Sequence, residues 1–160
     1  MQIDLSKIKI REIGLREVEL LTTYRMAYLT EMQGKRSEEY QSKLKGELTQ
    51  YFTQALNEQR LFAFLAENDT DVLSFGAMVL KKIPGDFNQS SYLEGDILNM
   101  YTVPHARCKG ISGMILDQLL AEARRRGISK VALHTSKDGE KLYRKFGFNE
   151  PGYPVLELCL

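Results

Sequence analysis

The stretch Asn99-Met100-Tyr101-Thr102-Val103-Pro104-His105-Ala106-Arg107-Cys108-Lys109-Gly110-Ile111-Ser112-Gly113 constrains this chain more than any other. Its start, Asn99 to Val103, is β-branched and aromatic enough to end a strand. Pro104 has no N–H to give a ladder, so the strand stops there. After Gly113, the residues Ile115, Leu116, Leu119, Leu120 and Ala123 recur at helical spacing. A helix therefore follows the loop and runs to Arg126, where Gly127 supplies a left-handed cap.

A loop of this kind favours anion binding. Gly110 and Gly113 let a ligand come close to the backbone. The first N–H groups of the helix have no intrahelical partner and carry partial positive charge, so a phosphate or pyrophosphate fits there. Arg107 and Lys109 would add charge-assisted hydrogen bonds. Cys108 sits among these groups, but no paired base makes it a nucleophile. The loop is neither a P-loop nor a dinucleotide fingerprint, since G-x-x-x-x-G-K-[ST] and G-x-G-x-x-G are both missing. The residues alone suit an ordinary strand-to-helix turn equally well.

Their order is more specific. Arg107-Cys108-Lys109-Gly110-Ile111-Ser112 resembles the Q/R-x-x-G-x-G/A signature of the GNAT superfamily of N-acetyltransferases. Met100-Tyr101-Thr102-Val103-Pro104 matches the strand before that signature. Leu142-Tyr143-Arg144-Lys145-Phe146-Gly147-Phe148 resembles the family's L-Y-x-K-x-G-F segment. The one departure is Ser112, where Gly or Ala is usual; serine is small and still offers its N–H. The motifs cover residues 99–148, and the N-terminal half agrees in element order. The resemblance implies that Arg107, Cys108, Lys109, Gly110, Ile111, Ser112 and Gly113 hold the pyrophosphate of acetyl-coenzyme A. It also implies that two central parallel strands splay apart, so that pantetheine pairs with backbone groups of Tyr101, Thr102 and Val103 as an added strand does.

The rest of the chain supplies a sheet and its covering helices. Ile8–Ile13 reads as a first strand, broken by Gly14. A helix follows from Leu15 to about Met32 and a second one after Ser37, a plausible N-cap with Glu38 and Glu39 behind it. Leu61–Glu67 and Val72–Lys82 form a hairpin, with Gly76 marking a bulge or a close backbone approach. Tyr92–Val103 is the long strand entering the anion loop. Lys130–Thr135 is another strand, Asp138–Phe146 a short helix closed by Gly147, and Val155–Leu160 a last strand. This order predicts an α/β (α+β) fold, a mixed central sheet flanked by helices, with a parallel crossover between Tyr92 and Thr135. At 160 residues, a single domain is expected.

Acetyl transfer to an amine needs an acid for the departing thiolate, and a phenol is protonated at neutral pH. The resemblance places Tyr143 in that role, while packing alone would explain it as a core aromatic beside Leu142 and Phe146. For the base, Asp96 and Glu94 share one side of the strand before the loop. Asp96 is the first candidate because some family members carry a carboxylate there; both would otherwise be solvated edge charges. Ser136 starts the loop after the second central strand and could contact coenzyme or simply turn the chain.

Other features exclude or weaken alternatives. A formal net charge of +1 gives no global field for nucleic acid or membrane. Arg124-Arg125-Arg126 is read as a solvated helix end, and His134 as packed within a strand. His105 has no metal-ligand partner at useful spacing, so no metal is expected. Two cysteines make no disulfide framework, and the start of the chain lacks a signal-peptide core, so a cytoplasmic protein is the default. The expected cosubstrate is acetyl-CoA, and the expected acceptor a small-molecule or peptide amine. The apolar C-terminal strand and the family's frequent dimerisation point to a homodimer. An acyl-CoA-binding or sensing module without turnover is the rival reading.

Overall fold

Antiparallel pairing carries the chain through four strands before one parallel crossover completes the sheet. The computed structural model describes residues 3–160. Its strands are β1 (Lys9–Glu12), β2 (Leu61–Glu67), β3 (Val72–Pro84), β4 (Ser91–Thr102) and β5 (Lys130–Ala132), side by side in that order. The helices are α1 (Val18–Gln33), α2 (Glu38–Asn57), α3 (Ile111–Arg125) and α4 (Lys137–Lys145). Pairs β1–β2, β2–β3 and β3–β4 are antiparallel, while β4–β5 is parallel with α3 as its crossover. The sequence-predicted fold class is the observed one.

Two apolar cores lie on the two faces. Helices α1 and α2 cover one through Leu21, Phe52 and Ala55, packed on Leu61, Leu65 and Phe75. Helix α3 covers the other through Ile111, Ile115, Leu119 and Ala123, packed on Phe62, Leu73 and Met78. Strand β2 is buried on both faces along its first six residues, which is why its sequence is a continuous apolar run rather than an alternation. Ser37 caps α2 as expected, accepting from the Tyr40 N–H at 3.3 Å.

Three expectations need correction. Strand β5 stops at Ala132, the partner of Asp96, and does not reach Thr135. Just beyond that pair β4 is bent by a bulge, so Leu133–Thr135 find no ladder, and His134 is exposed. Val155–Leu160 forms no strand: Leu156 is 91% and Leu158 82% exposed. A three-residue β5 offers that tail only a short edge, and Pro151 and Pro154 have no N–H to bring to one. Finally, Arg126 is not a solvated helix end. Its side chain lies 4.4 Å over the Phe62 ring and bonds Glu122 and Glu12, tying α3 to β1.

Candidate active site

The turn after β4 is built around backbone that only a few residues adopt. Gly110 caps α3 with φ +82°, and Cys108 holds φ +59°, both in the left-handed region. Helix α3 begins at Ile111, so Gly113 belongs to its first turn and not to the loop. The first helical bond is Met114 N–H to Gly110 O at 3.2 Å. The N–H groups of Ile111, Ser112 and Gly113 therefore have no partner among the described residues. A Cβ added to Gly110 would meet nothing within 4 Å, so the space before these donors is open.

Two side chains fix this turn to the sheet. Ser74, Thr102 and Ser112 form a hydroxyl chain at 2.8 and 2.9 Å, tying β3, β4 and the start of α3 together. Ser112 thus has a partner that glycine or alanine would lack. Arg107 donates to the Thr102 carbonyl at 2.9 Å and to Glu31 of α1 at 2.6 Å, and lies 5.7 Å from the Tyr101 ring centre. Its guanidinium is committed to holding the turn, while the half-buried Lys109 makes no ion pair among the described residues.

Upstream, β4 has a free edge and a bulge. Its pairing with β5 covers Glu94, Gly95 and Asp96 alone, so Ile97–Thr102 carry no strand on that side. Against β3, Phe75 faces Tyr101 and Ala77 faces Leu98, so Asn99 and Met100 oppose the single Gly76. Asn99 takes φ +57° at this bulge. A Cβ on Gly76 would lie 2.6 Å from Met100 Sδ and 2.8 Å from Ile115 Cγ2, so the bulge and α3 both close onto the bare glycine. Both readings of Gly76, bulge and close approach, hold.

At the bulge stands a pair that sequence reasoning missed, Arg25 and Asn99. Arg25 of α1 donates to Asn99 Oδ1. The guanidinium carbon of Arg25 lies 5.8 Å from the Tyr28 ring centre. Burial pulls the Arg25 guanidinium below its ordinary pKa, opposed by the phenols of Tyr28 and Tyr51. Tyr143 is half-buried on α4, 5.8 Å from the Phe148 ring centre. Burial raises its phenol pKa, and the neighbouring Tyr28 adds to this, so the group stays protonated at neutral pH. Gly139, one turn earlier, leaves room for it: a Cβ there would lie 3.3 Å from Tyr143 Cε2 and 2.9 Å from Thr135 Oγ1. Arg25 and Asn99 lie 74 positions apart, and no local motif marks either.

The remaining candidates are placed as follows. Asp96 pairs with Lys81 at 2.9 Å and is 43% exposed; Glu94 pairs with Lys130 at 3.2 Å. Ser136 is the N-cap of α4, accepting from Gly139 N–H at 3.3 Å. The concavities between α1 and α2, about 390 and 120 Å³, are lined by Met26, Gln41 and their neighbours and hold none of these groups.

The model of the acetyltransferase (GNAT) family matches residues 21–148. A predicted acetyltransferase from Clostridium acetobutylicum, crystallised with acetyl-CoA, is 30% identical over 95% of this chain and 96% of its own, with a TM-score of 0.81. The chain belongs to the GNAT family. A GCN5-related N-acetyltransferase from Ralstonia eutropha shares the fold at 21% identity, over 94% and 98% of the two chains, with a TM-score of 0.76. A ribosomal-protein-alanine N-acetyltransferase from Brucella melitensis does so at 18% identity, over 96% and 99%, with a TM-score of 0.67. No curated protein matches the sequence. The residues of this GNAT chain suit acetyl-CoA: open N–H donors lie at α3, and an unpaired edge on β4 leads from them to the bulge. Among the described residues no group of three His, Cys, Asp or Glu side chains could hold a metal, and no helix is long and apolar enough to cross a membrane.

Proposed function

We propose that this protein transfers the acetyl group of acetyl-CoA to a primary amine by direct attack. The observation that carries the reading is the set of unpaired N–H groups of Ile111, Ser112 and Gly113 behind the left-handed Gly110. They take the pyrophosphate, with Lys109 supplying mobile charge. Arg107 and Cys108 shape the turn that presents them. The free edge of Tyr101, Thr102 and Val103 takes the pantetheine arm, and Ser136 caps the helix that carries Tyr143. Acetyl-CoA, when bound, supplies a thioester activated for transfer.

The chain's own groups handle the protons. The Tyr143 hydroxyl, kept neutral by burial, donates a proton to the departing sulfur. Asp96 lies on β4 just before the bulge and is held by Lys81, so it accepts the amine proton through water. The acceptor is a small-molecule or peptide amine. The exposed, unpaired Cys108 and Cys159 suit a reducing, cytoplasmic setting. The test is thiol release from acetyl-CoA across a panel of amines. Release with some amine supports transfer; coenzyme binding with no release from any identifies an acyl-CoA-binding module instead.

A further inference from the structure

Among the described residues, Arg25 has no carboxylate within ion-pair distance, in contrast to Arg11, Arg107, Arg126 and Arg144. Its half-buried guanidinium gives one N–H to the neutral Asn99 Oδ1 and lies 5.8 Å from the Tyr28 ring centre. A guanidinium has five N–H donors and no acceptor, so four remain. Asn99 is 8% exposed, and its Nδ2 has no hydrogen-bond partner. A cation and buried amide donors left without acceptors are costly in a folded protein. They stand at the β4 bulge, within the stretch of β4 that β5 leaves unpaired. Donors alone, gathered on the strand whose free edge is proposed to take the pantetheine arm, are complementary to an anionic oxygen group.

The geometry points to Arg25 and Asn99 as a subsite for a carboxylate or phosphate carried by the acceptor amine. This rests on the transferase reading. An oxyanion takes several donors at once, including a bidentate guanidinium fork. An amine lacking the anion would leave the same donors dry and be discriminated against. The substrate class is thus an amino acid, a peptide with a nearby acidic group, or a phosphorylated amine, rather than a simple or cationic amine.

The experiment measures thiol release for matched amines: L-phenylalanine with 2-phenylethylamine, L-lysine with cadaverine, and glucosamine 6-phosphate with glucosamine. The anionic member of at least one pair should have the higher kcat/KM by about tenfold to a hundredfold, mainly through KM, as expected for a charge-assisted hydrogen bond. Which pair shows it separates carboxylate from phosphate. Arg25→Gln should bring the ratio near one, and Arg25→Lys should restore part of it. Asn99→Asp keeps the shape and gives Arg25 an internal carboxylate; it too should erase the preference, and it decides the matter if Arg25→Gln fails to fold. Calorimetry of the same amines on the CoA complex gives the second readout, and acetyl-CoA affinity should stay within about twofold throughout. Equal efficiency within every pair, or a preference that survives these variants, overturns the subsite and leaves the transferase standing. Anion-dependent binding that the variants abolish, without thiol release from any amine, keeps the subsite and removes the transferase. Neither binding nor release with any probe overturns the subsite.

Discussion

Replacing Gly110 by Asn and by Asp separates the three things that this residue does. Its φ of +82° would cost an ordinary L-residue about 1–2 kcal/mol. Asn and Asp tolerate that region better than other side chains, and a Cβ there meets nothing within 4 Å. Both variants should therefore fold, with a melting temperature lower by roughly 2–4 °C per kcal/mol of strain for a chain of this size. They have nearly the same shape and differ in one charge, so their difference in CoA affinity reports the electrostatics alone. Two unit charges about 6 Å apart at an effective dielectric near 20 repel by about 3 kcal/mol. Solvent screening at this open site brings that to about 1–2 kcal/mol, so Asp should bind CoA about 5–30-fold more weakly than Asn. Calorimetry at low and high salt is the assay, and the ratio should shrink as salt rises. Equal CoA affinity for the two variants at low salt would remove the diphosphate from the α3 terminus and with it the basis for reading this turn as the coenzyme cradle.

Other predictions concern the reacting groups, the scaffold and assembly. Tyr143→Phe keeps the ring, so acetyl-CoA affinity and melting temperature should hold while kcat falls by about 10²–10⁴ where chemistry limits turnover; an unchanged kcat there reduces Tyr143 to packing. Gly139→Ala should gain helix propensity of up to about 1 kcal/mol, yet its Cβ presses on Tyr143 Cε2 and Thr135 Oγ1, so kcat should drop without a matching loss of stability. The Glu122 carboxyl is held at a pKa of about 2 by Arg125 first and Arg126 next. Its folded pKa lies below the unfolded value, so its contribution is present above about pH 4.5 and is lost as pH falls towards 2. Glu122→Gln should flatten denaturation midpoints across that window by about 1 kcal/mol, a figure discounted for solvent screening. Light scattering at micromolar concentration should give a dimer mass that deletion of residues 155–160 lowers to a monomer; a monomer with the tail intact rejects its role in self-association.

Much of this was legible because the relevant physics is local. The hairpin β2–β3, the Ser37 cap and the Gly127 cap of α3 are set by neighbouring residues, and the sequence shows them directly. Gly76 could be read as a bulge or a close approach because either leaves a glycine in a strand. The turn after β4 was legible as a turn, but the start of α3 was placed after Gly113 when the helix begins at Ile111. A glycine two places inside a helix looks in sequence like one outside it. Tail and β5 failed for another reason: strand propensity is a property of side chains, whereas a strand needs an edge to pair with. Val155–Leu160 has the first and, in this fold, only three residues of the second.

Arg25 marks the limit of such reading. In the sequence it is one basic residue of α1, four positions after Leu21 and three before Tyr28, so it falls on that helix's apolar face, and nothing local says what it meets there. What changes its meaning is the bulge at Asn99, which brings an amide to α1 from 74 positions away. That bulge in turn requires that Gly76 lack a side chain, because any Cβ there would collide with Met100 and Ile115. The cation's surroundings are therefore fixed in part by a glycine on β3 packed under Met100 and Ile115. Filling that space costs typically about 1–3 kcal/mol in overpacking, and relief by Met100 would move the adjoining Asn99. At the proposed subsite, specificity towards the acceptor would thus depend on packing between β3, β4 and α3 as much as on the groups facing the ligand. A lone basic residue in a sequence becomes informative only when the residues that strip it of counter-charges are known.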